Sequence, residues 1–160
     1  MEIQVQQHMR MPGVDGRVLA RLVRRVACEA LKTGGAPEHS ETSIVLVDAE
    51  EMRELNCRYR DIDRPTDVLA FSMRDGEELA LPQGQSAPAE PLGDVIVSLE
   101  TAAAQARESG HSLRREIAIL LVHGCLHLVG FDHGVGRERT MRMRKAEKTC
   151  LEALEQNLVV

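Results

Sequence analysis

The chain has 160 residues and a formal net charge of −5, and hydrophobic residues make up 43% of it, enough for one domain whose core needs no covalent staple. Aromatic residues are only 2%, so the core must be aliphatic, and the composition argues against an aromatic stacking platform for single-stranded nucleic acid. The opening MEIQVQQH carries an acid and no apolar stretch, and no apolar run approaches the eighteen or so residues that span a bilayer, so the expectation is a cytoplasmic protein without membrane association.

In chain order, Ile3 to Gln6 alternates like a first strand, and Pro12-Gly13 turns into a helix with Val18, Leu19, Leu22, Val23, Val26 and Ala30 on one apolar stripe. Thr33 to Pro37 ends that helix. Ser43 to Asp48 reads as a buried strand, followed by a helix from Ala49 to about Arg60. Strands follow at Val68–Met73 and Asp94–Leu99, with a long polar connection between them from Asp75 to Pro91. Helices then cover about Glu100–Ser109, Leu113–Val129 and Arg137–Gln156. The expected fold is α+β: a single domain over residues 1–160, with a small mixed sheet of about four strands packed with about five helices.

The fourth of these helices carries the chemistry. The run HGCLHLVGFDH holds His123, His127 and His133. His123 and His127 are four apart on an apolar helix, so both imidazoles leave one face about one turn apart. Gly130 can take a positive φ and end the helix, so that the chain turns and His133 faces the first two. A single buried histidine is usually a core residue with a satisfied hydrogen bond. Three on so short an apolar stretch are costly to bury unless something collects their lone pairs. The spacing therefore points to one metal ion per chain, Zn2+, with an open fourth position at which bound water is acidified to a pKa of about 7. Such a metal helix is zincin-like. Yet Gly124 stands where zinc metalloproteases with the H-E-x-x-H pattern carry the glutamate that takes a proton from that water, which argues against peptide hydrolysis. Cys125 lies about 200° round the helix from either histidine and reads as core rather than ligand. The four cysteines, Cys28, Cys57, Cys125 and Cys150, form no C-x-x-C pair and fit reduced thiols.

The string Gly124, Leu126, Leu128, Gly130 and Asp132-His133 resembles that of the YbeY family of bacterial zinc-dependent endoribonucleases, which act in ribosomal RNA maturation. A second stretch resembles the family's LN-x-x-YR-x-x-D-x-PTDVLSFP: Leu55-Asn56, Tyr59-Arg60, Asp63, Pro65 to Leu69, and Phe71. Gly93 to Ser98, Glu116, and Met143 with Glu147 match further family segments. Departures are Ala70 in place of serine, Ser72-Met73 in place of a proline-containing strand end, and a basic rather than acidic segment after His133. The resemblance implies a zinc-dependent, single-strand-specific endoribonuclease acting in 16S rRNA 3′-end maturation and ribosome quality control. Its partners would be single-stranded ribosomal RNA precursor and the ribosome or small-subunit proteins.

The resemblance also implies that Arg60 belongs to the active site, where its planar fork of donors suits a phosphate. From the residues alone, Arg60 reads equally as a cap on the last helical carbonyls or as a partner of Asp61 or Asp63. Asp132 likewise either orients His133, holds a water, or caps the turn that follows the helix. Two basic stretches interrupt the acidic background. One carries Arg10, Arg17, Arg21, Arg24, Arg25 and Lys32, and the other Arg137, Arg139, Arg142, Arg144, Lys145 and Lys148. Within the second, Arg142, Arg144 and Lys145 are candidate RNA contacts, against the alternative of an ordinary solvated face. Two other functions share the histidine tripod: a zinc metalloprotease or other metal hydrolase, and a ribosome-assembly factor with a structural zinc.

Overall fold

The structure is a computed structural model that describes residues 1–73, 89–131 and 137–156. Its elements run β1 (Glu2–Gln7), α1 (Gly16–Thr33), β2 (Ser40–Val47), α2 (Ala49–Arg60), β3 (Val68–Ser72), β4 (Glu90–Ser98), α3 (Leu99–Ser109), α4 (Leu113–Leu128) and α5 (Arg137–Gln156). The four strands form one mixed sheet in the order β1-β2-β4-β3, in which β1, β2 and β4 are parallel and β3 runs antiparallel along β4 at one edge. The expected α+β architecture is therefore present. No helix among the described residues is long and apolar enough to cross a membrane.

Strand alternation decides which residues meet which helices. Ile44, Leu46, Val95 and Val97 join the main core with residues of α1, α3, α4 and α5. Val45, Val47, Ile96, Leu69 and Phe71 turn to the other face, where Met52 and Leu55 of α2 cover them. The helix starts are set locally. Asp15, Asp48, Ser98 and Ser112 each cap a helix by accepting hydrogen bonds from backbone amides of its first turn, which would otherwise lack partners.

Two expectations need correction. Val18, on the predicted core stripe of α1, is exposed, while Ala27 and Leu31 are fully buried. The buried arc thus extends further round the helix on the side away from Val18. The last strand begins at Glu90 rather than Asp94, because Ser40 and Glu41 of β2 pair with Glu90 and Pro91 across a register shift. Pro91 and Gly93 conceal this in the sequence, since both normally mark a strand's limits. Most of the expected Asp75–Pro91 connection lies outside the described residues.

Candidate active site

Helix α4 reaches its end at the sheet's β3 edge. It closes in a Schellman arrangement in which the amide of Gly130 donates to the His127 carbonyl at 3.1 Å and that of Phe131 donates to the Leu126 carbonyl at 3.0 Å. Gly130 has φ +87°, the left-handed conformation that the sequence required of it. His123 and His127 lie side by side on the last turns, their ring centroids 4.7 Å apart and their Nε2 atoms separated by 3.2 Å. His133 and Asp132 lie outside the described residues, and no group of three potential metal-ligating side chains forms among the described ones.

The fit of this pair to a metal can be tested on its geometry. Two imidazole nitrogens bound tetrahedrally to one zinc at about 2.0–2.1 Å would stand about 3.3 Å apart, close to the observed spacing. A second feature points the same way. Glu147 of α5 accepts a hydrogen bond from His123 Nδ1, at 2.7 Å, which fixes the tautomer so that Nε2 carries the lone pair. Such a carboxylate behind a histidine is what orients a metal ligand and raises its basicity. The sequence registered Glu147 only as part of a family segment, since no local pattern announces a contact between residues 24 apart.

The histidines form one side of a cavity of about 510 Å³, which is lined by Arg60, Thr66, Asp67, Val68, Ala70, Ser72, His123, Gly124 and His127. The sequence's two motifs thus meet at one place. Val68, Ala70 and Ser72 are alternate residues of β3 and present one face, and Ser72 Oγ donates to the Leu128 carbonyl, at 3.3 Å, joining the strand to the end of α4. Close approach of α4 to the sheet depends on Gly124. A Cβ there would stand 2.7 Å from Val95 Cγ1 and 3.2 Å from Val68 Cγ2. The position that carries a glutamate in the proteases is consequently a packing surface with no room for a carboxylate.

Arg60 is the last residue of α2 and is exposed. Asp63, one of its candidate partners, is taken by Arg53, whose Nε and Nη2 donate to the two carboxylate oxygens at 2.7 and 3.1 Å. That hydrogen-bonded ion pair holds the Asp63 carboxyl below, and the Arg53 guanidinium above, their ordinary pKa values. Among the described residues no carboxylate pairs with Arg60. The loop that carries the chain from Arg60 to the cavity is pinned by Asn56, buried at 3% exposure, whose Nδ2 donates to the Arg64 carbonyl at 2.8 Å. Asp67 is fastened at both oxygens: Oδ1 accepts from the Val68 amide at 2.8 Å, and Oδ2 from Gln105 Nε2 at 3.1 Å. Asn56 and Asp67 are positioning residues that the sequence supplied only as letters of a motif.

Behind His123 lies a second cavity, lined in part by Asp67, Gln105, Glu116 and Glu147. Burial raises the pKa of the Glu116 carboxyl, an effect opposed by His111, whose Nε2 stands 3.0 Å away. Cys125 is buried in the core, where desolvation drives its thiol pKa far up. Arg142, Arg144 and Lys145 are exposed on α5. Helical spacing puts Arg142 and Lys145 on one face and turns Arg144 away from Arg142 by about 160°. Arg142 also lies over the Phe131 ring, 5.6 Å from its centroid, and so borders the end of α4.

The family model described as endoribonuclease YbeY matches residues 3–155. The endoribonuclease YbeY of Pelotomaculum thermopropionicum is 48% identical over 130 residues, covering 81% of this chain and 83% of that protein. That of Caldanaerobacter subterraneus subsp. tengcongensis is 42% identical over 148 residues, covering 91% and 93%. The solution structure of TM1509 from Thermotoga maritima superposes with a TM-score of 0.61 at 24% identity, over 98% of this chain and 91% of that one, and so shares its fold.

Proposed function

The chain belongs to the YbeY family of endoribonucleases, and we propose that it hydrolyses RNA at a zinc centre held by His123, His127 and His133, with Arg60 as the catalytic phosphate-binding residue. The observation that carries this reading is the convergence of Arg60 with the paired His123 and His127 on one cavity. When bound, one zinc ion per chain would polarise a phosphoryl oxygen and acidify a water. The protein's own residues do the rest. Arg60, permanently charged, grips the scissile phosphate and stabilises the charge that grows on it in the transition state. Glu147 keeps the His123 proton on Nδ1, and the Asn56 and Asp67 anchors hold the loop that forms the cavity's other wall.

The substrate in this reading is single-stranded ribosomal RNA precursor, processed at the 16S 3′ end and in ribosome quality control. The whole chain, residues 1–160, acts as one cytoplasmic domain with the ribosome or small-subunit proteins as partners. Proteolysis at the same centre is disfavoured by the packing at Gly124. The test is incubation of zinc-loaded protein with single-stranded RNA, structured RNA and a casein-like protein. Single-stranded RNA should be cut, His127→Ala should lose both zinc and cleavage, and Arg60→Lys should keep zinc but cleave at least about tenfold more slowly, or about 1.4 kcal/mol in barrier. An Arg60→Lys protein as fast as the parent would remove Arg60 from the chemistry, and cleavage of casein alone would replace the reading.

A further inference from the structure

The chain has one tyrosine, two phenylalanines and no tryptophan, and the structure gives these three rings unequal positions. Phe131 has Arg142 over its ring. Phe71 is half-buried on the α2 side of β3, packed against the small core cluster of Met52, Leu69 and Ile96. Tyr59 is 59% exposed. Its ring meets that of Phe71 edge-on, with centroids 4.9 Å apart and planes at 61°, a preferred geometry for aromatic pairs that orients Tyr59. The tyrosine is thus propped from beneath while keeping surface in solvent.

Its position relative to the cavity gives that surface a use. Tyr59 immediately precedes Arg60 on the last turn of α2, so the two side chains leave the helix about 100° apart. Arg60 lines the cavity, with Val68, Ala70 and Ser72 of β3. Phe71, and Tyr59 upon it, belong to the strand's opposite face. Among the described residues strand β3 pairs only with β4 and forms the sheet's edge, leaving a narrow rim between the two faces. Two more exposed apolar side chains come from the segments that bring Tyr59 and Phe71 together: Ile62, 39% exposed, just after α2, and Met73, 59% exposed, just after β3.

We infer that Tyr59 is a substrate-binding residue on which one unpaired nucleobase of the RNA stacks while Arg60 holds a nearby phosphate across the β3 rim. This rests on the nuclease reading and adds to it a reason for preferring single strands, because a base held in a duplex cannot leave its stack without loss. A tyrosine loses little conformational freedom on binding and offers a π-face to any base, so the contact selects for single-strandedness rather than for sequence. Low aromatic content excludes an extended platform. It leaves room for a single ring beside the phosphate-binding group.

The test measures binding of a short 2′-O-methyl single-stranded oligonucleotide with phosphorothioate linkages, checked to stay intact throughout, to the zinc-loaded protein, alongside the same oligonucleotide made abasic at successive positions. Tyr59→Ala should weaken binding of the intact oligonucleotide by about five- to 150-fold. Tyr59→Phe and Tyr59→Trp should bind about as well as the parent. The only indole of Tyr59→Trp should be quenched by the intact oligonucleotide and lose that quenching when one particular base is missing. That same abasic position should erase the difference between the parent and Tyr59→Ala. Equal affinity of Tyr59→Ala and the parent would overturn the inference, as would a loss that persists with every abasic oligonucleotide, since the ring would then act only through the fold. Failure of metal-dependent cleavage with base-dependent quenching intact would refute the nuclease reading and leave the stacking contact standing.

Discussion

Replacing Gly124 by alanine sets two calculable effects against each other. In the interior of a helix the substitution should stabilise by about 0.8–1 kcal/mol through backbone propensity alone. Against this, the new methyl would lie 2.7 Å from Val95 Cγ1 and 3.2 Å from Val68 Cγ2. Val95 is fully buried, and as a β-branched side chain it has few rotamers to retreat into. Overpacking of this kind costs about 1–3 kcal/mol. The clash should win, for a net loss of up to about 2 kcal/mol, and α4 should back away from β4 and β3. Because His123 and His127 ride on α4 while Arg60 reaches the cavity from α2, RNA cleavage should fall with zinc still bound. Urea unfolding of the parent, Gly124→Ala, Val95→Ala and the double variant forms a cycle in which the double variant should be more stable than the sum of its parts predicts. A Gly124→Ala protein about 1 kcal/mol more stable than the parent and fully active would show that the helix–sheet spacing is not set by this glycine.

Glu147→Gln should lower zinc affinity by about 10–100-fold, read by competition with a chromophoric chelator. Unchanged affinity would make the carboxylate a bystander. Glu116 has a raised pKa in the folded chain, so its ionisation favours the unfolded state. The resulting loss of stability is absent below the ordinary carboxylate pKa and sets in as pH rises through the raised one. Glu116→Gln should therefore melt higher than the parent near neutral pH and equal to it in acid, and a difference of the opposite sign at neutral pH would show that the His111 pair outweighs burial. Neutralising Arg142 and Lys145, which share a face of α5, should flatten the salt dependence of RNA binding by about 1.4 in log–log slope if each meets a phosphate. Arg144→Ala should change it little, and an unaltered slope in the double variant would make the helix an ordinary solvated face.

Much of this molecule is legible one helical turn at a time. The bounds of α2 follow from the sequence because caps and apolar periodicity act between residues a few positions apart. His123 and His127 share a face for the same reason, and Gly130 ends α4 as its lack of a Cβ allows. The resemblance to a family then joined two distant motifs that spacing alone could not connect. Contacts between elements had no such local record. Asp63 could have paired with Arg60 or Arg53, and only the course of the chain after α2 gave it to Arg53. Periodicity puts Val18 in the core, but which arc of α1 is covered depends on where its neighbours pack. Glu90 to Gly93 join the sheet because β2 is there to pair with them, against the local preferences of Pro91 and Gly93. Glu147 reaches His123 only because α5 docks beside α4 over the shared core. Local hydrogen bonding and sterics are set by neighbouring residues, whereas docking is settled by the burial of apolar surface contributed by the whole chain.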